Sequence, residues 1–212
     1  MARSGASSRK TSGETKRPAR DVSDNASTHR ATAGVRVLGI DPGLNVTGYG
    51  ALAASPRGPV LLEAGVVRSR PRESIESRLQ EIFDGIRDAI QSLRPSVLAI
   101  EQLYSHYERP RTAILMGHAR GVICLAAAQE GVPIVHYAAT QVKKTLTGSG
   151  RASKGQVQRA ICRELGLAQE PEPPDVADAL AVALCHYYSS GGSAERETAS
   201  RKMRGVAARR TA

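Results

Sequence analysis

The chain has 212 residues, a formal net charge of +10 and three cysteines, Cys124, Cys162 and Cys185. An odd cysteine count without a CxxC pair argues against a disulfide framework and fits a reducing compartment, and no apolar run approaches the ~20 residues of a membrane-spanning helix. The charge is concentrated at the ends: residues 1–34 carry seven Lys/Arg against three Asp/Glu (+4), residues 189–212 six against two (+4), and residues 35–188 seventeen against fifteen (+2).

Residues 1–34 and 189–212 are polar, basic and poor in anything to bury, which predicts disordered tails with at most salt-sensitive affinity for polyanions. The N-terminal stretch has no apolar core of a secretory signal. Its Arg- and Ser-rich composition is like that of an organelle transit peptide, but Glu14, Asp21 and Asp24 interrupt it and it lacks amphipathic periodicity, so the expected location is cytoplasmic.

Residues 35–188 have the length and periodicity of one domain. Val35–Ile40 reads as a buried strand, stopped by Asp41-Pro42-Gly43. Val46–Ala54 reads as a second strand, whose Gly48 and Gly50 weaken it or admit a close backbone. The turn Ser55-Pro56-Arg57-Gly58-Pro59 leads to a third strand, Val60–Val67, and the three read as an antiparallel meander. Ile75, Leu79, Ile82, Phe83, Ile86, Ile90 and Leu93 mark one face of a helix over 73–93. Val97–Ile100 is a short strand, and 111–130 a long apolar helix interrupted by Gly117 and Gly121. Each interior glycine costs about 1 kcal/mol relative to alanine, a cost that close approach by another helix or a ligand backbone would explain. Val132–His136 reads as a fifth strand, followed by helices over 139–147, 154–165 and 175–188. The order predicts an α/β fold with a mixed five-stranded sheet and helices on both faces.

Four carboxylates stand where such a fold would gather them. Asp41 ends the first apolar run and Glu101 ends VLAI, so both fall at strand termini, the rim where open α/β sheets bind ligands. Asp175 and Asp178 lie three apart at the start of an apolar helix, on one face and at the positive end of its dipole. Taken separately, a turn Asp and two capping acids are ordinary; together they would repel without a cation, which suggests Mg²⁺ or Mn²⁺. Hard cations held by carboxylates commonly serve phosphoryl chemistry.

The segments GIDPG and TGYG (39–43, 47–50), AIEQ (99–102), HARG (118–121), YAATQVKKT (137–145), SKGQV (153–157) and DVADALAVA (175–183), in this order and spacing, resemble the RuvC family of Holliday-junction resolvases. The resemblance spans about residues 36–188; the long N-terminal tail departs from it. It implies a ribonuclease H-like fold, a homodimer, cooperation with a branch-migration helicase complex (RuvA and RuvB type), and Mg²⁺-dependent paired cleavage of four-way DNA junctions. The matching catalytic carboxylates are Asp41, Glu101, Asp175 and Asp178, expected to hold two Mg²⁺ ions, with Mn²⁺ as a substitute. Lys143 and Lys154 match family lysines important for activity, and Tyr104 matches an aromatic position able to stack on an unpaired base. Lys144, Arg109, Arg111, Arg120 and Arg151 are further candidate phosphate contacts. His118, His136 and His186 have no partner at metal-ligand spacing and read as structural. Another ribonuclease H-like nuclease, an actin-like nucleotide-binding fold or a non-catalytic junction-binding protein would share some of these features. The motifs outside the carboxylates and the absence of a duplicated domain favour the resolvase.

Overall fold

The computed structural model describes residues 35–102 and 110–191. The tail expectations, and the candidates Tyr104 and Arg109, lie outside the described residues. The elements run β1 (Arg36–Asp41), β2 (Val46–Ser55), β3 (Gly58–Arg68), α1 (Ile75–Leu93), β4 (Val97–Glu101), α2 (Pro110–Gln129), β5 (Ile134–Tyr137), α3 (Ala139–Thr147), α4 (Lys154–Leu165) and α5 (Pro174–Ser189).

The five strands form one sheet in the order β3-β2-β1-β4-β5. The first three pair antiparallel, while β1–β4 and β4–β5 are parallel. Strands β1 and β4 each run one residue past their expected ends, because the ladder continues: Asp41 pairs with Gly48, and Glu101 with Tyr137. Both acids are therefore the last residue of a strand, with orientation set by the pleat rather than by a turn.

Alternation along the strands sorts two cores. Leu38, Ile40, Leu98 and Ile100 face one side and pack with Ile82, Ile86 and Ile90 of α1 and Ala119 and Ile123 of α2. Val37 and Ala99 face the other, with Val142 of α3, Val157 and Ile161 of α4, and Leu180 and Leu184 of α5. The same parity sends Asp41 and Glu101 to the α5 side. Helix α5 lies between the sheet and α3/α4, and between Val176 and Tyr187 every residue is buried except Asp178.

Two glycines let α5 lie directly on the strands. A Cβ on Gly39 would fall 2.2 Å from the Ala179 carbonyl oxygen, and one on Gly48 would fall 2.0 Å from that of Asp175. No side chain fits there, so the first turn of α5 is pressed against the strand pair that carries Asp41. Gly39→Ala is expected to destabilise the protein by about 1–3 kcal/mol or more through overpacking, read as a lower urea midpoint at unchanged m-value. A midpoint equal to wild type would mean that α5 can lift off the sheet freely. Gly117 and Gly121 behave differently: a Cβ on either meets nothing within 4 Å among the described residues.

Candidate active site

The turn after Asp41 is tied at several points. The Thr47 hydroxyl, fully buried, donates to the Gly43 carbonyl oxygen at 2.7 Å. Arg78 of α1 donates to the Leu44 carbonyl at 3.3 Å and to Asn45 Oδ1, and the buried Ser69 hydroxyl also donates to Leu44. Residues 42–45 are thus braced against α1 and β3, which holds the end of β1 in place. Nothing in the local sequence announces this brace, since its donors lie 25 to 34 positions from Leu44.

Helix α5 begins with Pro174 at a position where its missing N–H costs nothing. The N-cap is Pro173, with no side-chain cap hydrogen bond, so Asp175 and Asp178 are not there as caps. Opposite them, α4 starts with a complete capping box, in which Ser153 and Gln156 satisfy each other's backbone N–H. That box fixes Lys154 as the first residue of α4. A cation at a helix N-terminus opposes the helix dipole; the compensation is Asp178, whose Oδ2 accepts from Lys154 Nζ at 2.9 Å.

Asp41, Glu101, Lys143, Lys154 and Asp178 line one cleft of about 280 Å³, with Ala139, Val142, Val157 and Ala181 as its apolar walls. Asp41 is pushed up to about 7, by burial first and then by the charges of Asp178, Glu101 and Asp175, against a smaller opposing effect of Lys154. Glu101 is also raised, by burial and then Asp178, while Lys143 pulls it down. Lys154 is raised, chiefly by its hydrogen bond to Asp178, with Asp41 and Asp175 adding to it. Asp41 thus feels the other three acids, and two lysines line the same cleft.

A crowded set of half-buried carboxylates is the donor chemistry of a hard divalent cation, and the donor set fits Mg²⁺ or Mn²⁺. Among the described residues, however, no three His, Cys, Asp or Glu side chains are arranged to hold an ion as they stand. The ammonium of Lys154 lies on one of the oxygens such an ion would need.

The remaining candidates divide. Lys144, Arg111 and Arg151 are exposed and outside the lining of the cleft. Arg120, a candidate phosphate contact, donates to the Glu101 carbonyl oxygen and to His136 Nδ1. His186 is buried, with Nδ1 2.9 Å from the Tyr137 hydroxyl, and His136 partners Arg120, which agrees with structural roles for both. No helix among the described residues is long and apolar enough to cross a membrane.

The family described as Crossover junction endodeoxyribonuclease RuvC matches residues 37–186. A relative of that description from Rhodopirellula baltica is 54% identical over 152 residues, 72% of this chain and 85% of the relative. The solved structure of Thermus thermophilus RuvC is 34% identical and superimposes with a TM-score of 0.69 over 74% of this chain and 98% of that one. The T. thermophilus RuvC in complex with Holliday junction substrate is 32% identical, with a TM-score of 0.70 over 78% and 97% of the two chains.

Proposed function

Because the chain belongs to the RuvC family of crossover junction endodeoxyribonucleases, we propose that its four carboxylates hold two Mg²⁺ ions and that Lys143 and Lys154 face the scissile phosphate. The fold is ribonuclease H-like, and the protein is a DNA-binding Holliday-junction resolvase that hydrolyses phosphodiester bonds. Catalysis in the family depends on divalent metal ions. The observation that carries the site assignment is the shared electrostatics of Asp41, Glu101, Asp175 and Asp178, of which Asp41, Glu101 and Asp178 line one cleft.

In this reading Asp41 sits centrally, because all three other carboxylates act on it. A metal pair held by these acids would supply activation of the attacking water, neutralisation of the phosphate and stabilisation of the leaving oxygen. The chain's own residues do the rest. Glu101 and the Asp175/Asp178 pair would complete the ligand set with Asp41. Lys143, beside Glu101, and Lys154, released from Asp178, place point charges on the non-bridging phosphate oxygens. No side chain forms a covalent intermediate, and the products carry a 5′-phosphate and a 3′-hydroxyl. Arg111 and Arg151, with Lys144, supply outlying phosphate contacts, and Tyr104 stacks on a base at the junction centre.

The working unit is a homodimer, whose two sites cut opposed strands. Its support is the outer face of α2, where Ile114 is 62% and Leu125 50% exposed on the same stripe as Gly117 and Gly121. A second copy laid along this stripe would bury both apolar side chains, with the glycines admitting a close backbone. Leu125→Asp is expected to weaken dimerisation about thirtyfold or more, as loss of a central apolar contact does, measured by sedimentation equilibrium. A variant that remains as dimeric as wild type would put the interface elsewhere. Residues 35–188 constitute the nuclease domain between two basic tails. Cooperation with a branch-migration helicase complex (RuvA and RuvB type) and a cytoplasmic location rest on family membership.

The test is cleavage of a synthetic four-way junction in Mg²⁺, beside a linear duplex and an RNA–DNA hybrid. Paired symmetric nicks confined to the junction are expected. Hybrid cleavage would point to a different ribonuclease H-like specificity, and junction binding without cleavage in Mg²⁺ or Mn²⁺ would overturn the metal site.

A further inference from the structure

Arg120 carries an inference that family membership does not. On its β1 side the ladder of β4 ends at the Ile40–Ile100 pair, one residue before Glu101. On the β5 side the following amide is held, Gln102 N–H donating to the Tyr137 carbonyl at 2.8 Å. The Glu101 carbonyl oxygen is taken by Arg120, which reaches across from α2 and with a second nitrogen grips His136 Nδ1 on β5. One guanidinium thus closes the rim of α2, β4 and β5 at the residue whose side chain enters the acidic cleft. A planar fork can serve two acceptors at once; an ammonium offers a single nitrogen.

We propose that Arg120 is a positioning residue: it fixes the backbone of Glu101 so that its carboxylate meets the metal. The inference rests on Glu101 being a metal ligand. Arg120 does not act on the Glu101 carboxylate directly, since the charges that shift that group are those of Asp178 and Lys143. Its contribution is geometric, and small displacements of a ligand matter at such sites. Two of its nitrogens are committed to protein acceptors.

The experiment is Mn²⁺ binding to the full-length, DNA-free protein by calorimetry, for wild type, Arg120→Gln, Arg120→Lys, His136→Ala and Glu101→Gln. Junction affinity is measured in EDTA alongside. Arg120→Gln is expected to weaken Mn²⁺ binding about tenfold and to leave junction affinity within about twofold. Arg120→Lys should fall between it and wild type, and His136→Ala should lose less than Arg120→Gln. If Arg120→Gln does not fold, Arg120→Lys and His136→Ala carry the same comparison. Wild-type Mn²⁺ affinity in the Arg120 variants, with Glu101→Gln impaired, would overturn the positioning role and leave the metal site standing. A tenfold loss of junction affinity with Mn²⁺ binding intact would return Arg120 to the phosphate contacts and also overturn it. Unchanged Mn²⁺ binding in Glu101→Gln would remove the metal-site assignment itself, and this inference with it.

Discussion

Asp41→Asn is expected to lower junction cleavage about a thousandfold or more, which corresponds to about 4 kcal/mol of transition-state stabilisation, while junction binding in EDTA stays at wild-type strength or tightens. Asp41 is the acid on which the other three act, and it ends β1, the central strand of the sheet, beneath the first turn of α5. An amide there keeps the shape and removes the charge that would hold the proposed cations. DNA affinity comes mainly from phosphate contacts by basic side chains, so losing one buried negative charge does not weaken it. Single-turnover cleavage and a gel-shift titration on the same preparations separate the two effects. Residual cleavage within tenfold of wild type would mean that Asp41 is not the central ligand. Loss of binding in parallel with cleavage would mean that the substitution disturbs the fold of the rim.

The carboxylates were readable because each stands where a local pattern stops. VLGI and VLAI are apolar runs that terminate in an acid, and a pleat of period two then determines the face each acid takes. Asp178 is the half-exposed residue in an otherwise buried stretch of helix, a pattern visible as an acid inside ADALAVAL. Lys154 was named through the SKGQV resemblance, and the capping box that starts α4 there was not part of that reading. The parts that were not readable depend on long-range packing. Gly48 signalled close approach, but that the approaching group is the Asp175 backbone depends on residues 127 positions away. Arg120 read as a candidate phosphate contact within HARG, and its inward contacts were not legible, because α2 is apolar on more than one side and its pattern does not say which side meets the sheet. Its carbonyl partner is a backbone atom and leaves no trace in residue identity. The brace from Arg78 and Ser69 onto Leu44 is hidden in the same way.

The same crowding of charge that suits the site to metal has a consequence for the metal-free protein. Asp41 holds its proton up to about pH 7, whereas its ordinary value is 3.8. Between about pH 4 and 7 the folded, metal-free chain therefore keeps a proton that the unfolded chain releases. Fewer protons on the unfolded state mean that stability falls as pH rises across this window, by up to about 1.4 kcal/mol per unit, and levels off above it. Glu101, also raised, adds to the fall. Buried His186 works the other way: its value is lowered by burial, so stability rises with pH up to about the ordinary histidine value of 6.5 and levels off above it. Comparison of wild type with Asp41→Asn cancels the His186 effect and leaves that of Asp41. In EDTA the variant is expected to match wild type near pH 4 and to exceed it by a few kcal/mol at pH 7.5, measured by urea unfolding at several pH values. Saturating Mg²⁺ should narrow or reverse that gap, because the ion replaces the proton as the compensating charge, and it stabilises only the chain that binds it. For the same reason Mg²⁺ affinity of the wild type should rise with pH up to about 7 and then flatten. Parallel stability profiles for the two proteins in EDTA would show that Asp41 is already ionised in the folded chain, with Lys154 as sufficient counter-charge for the site.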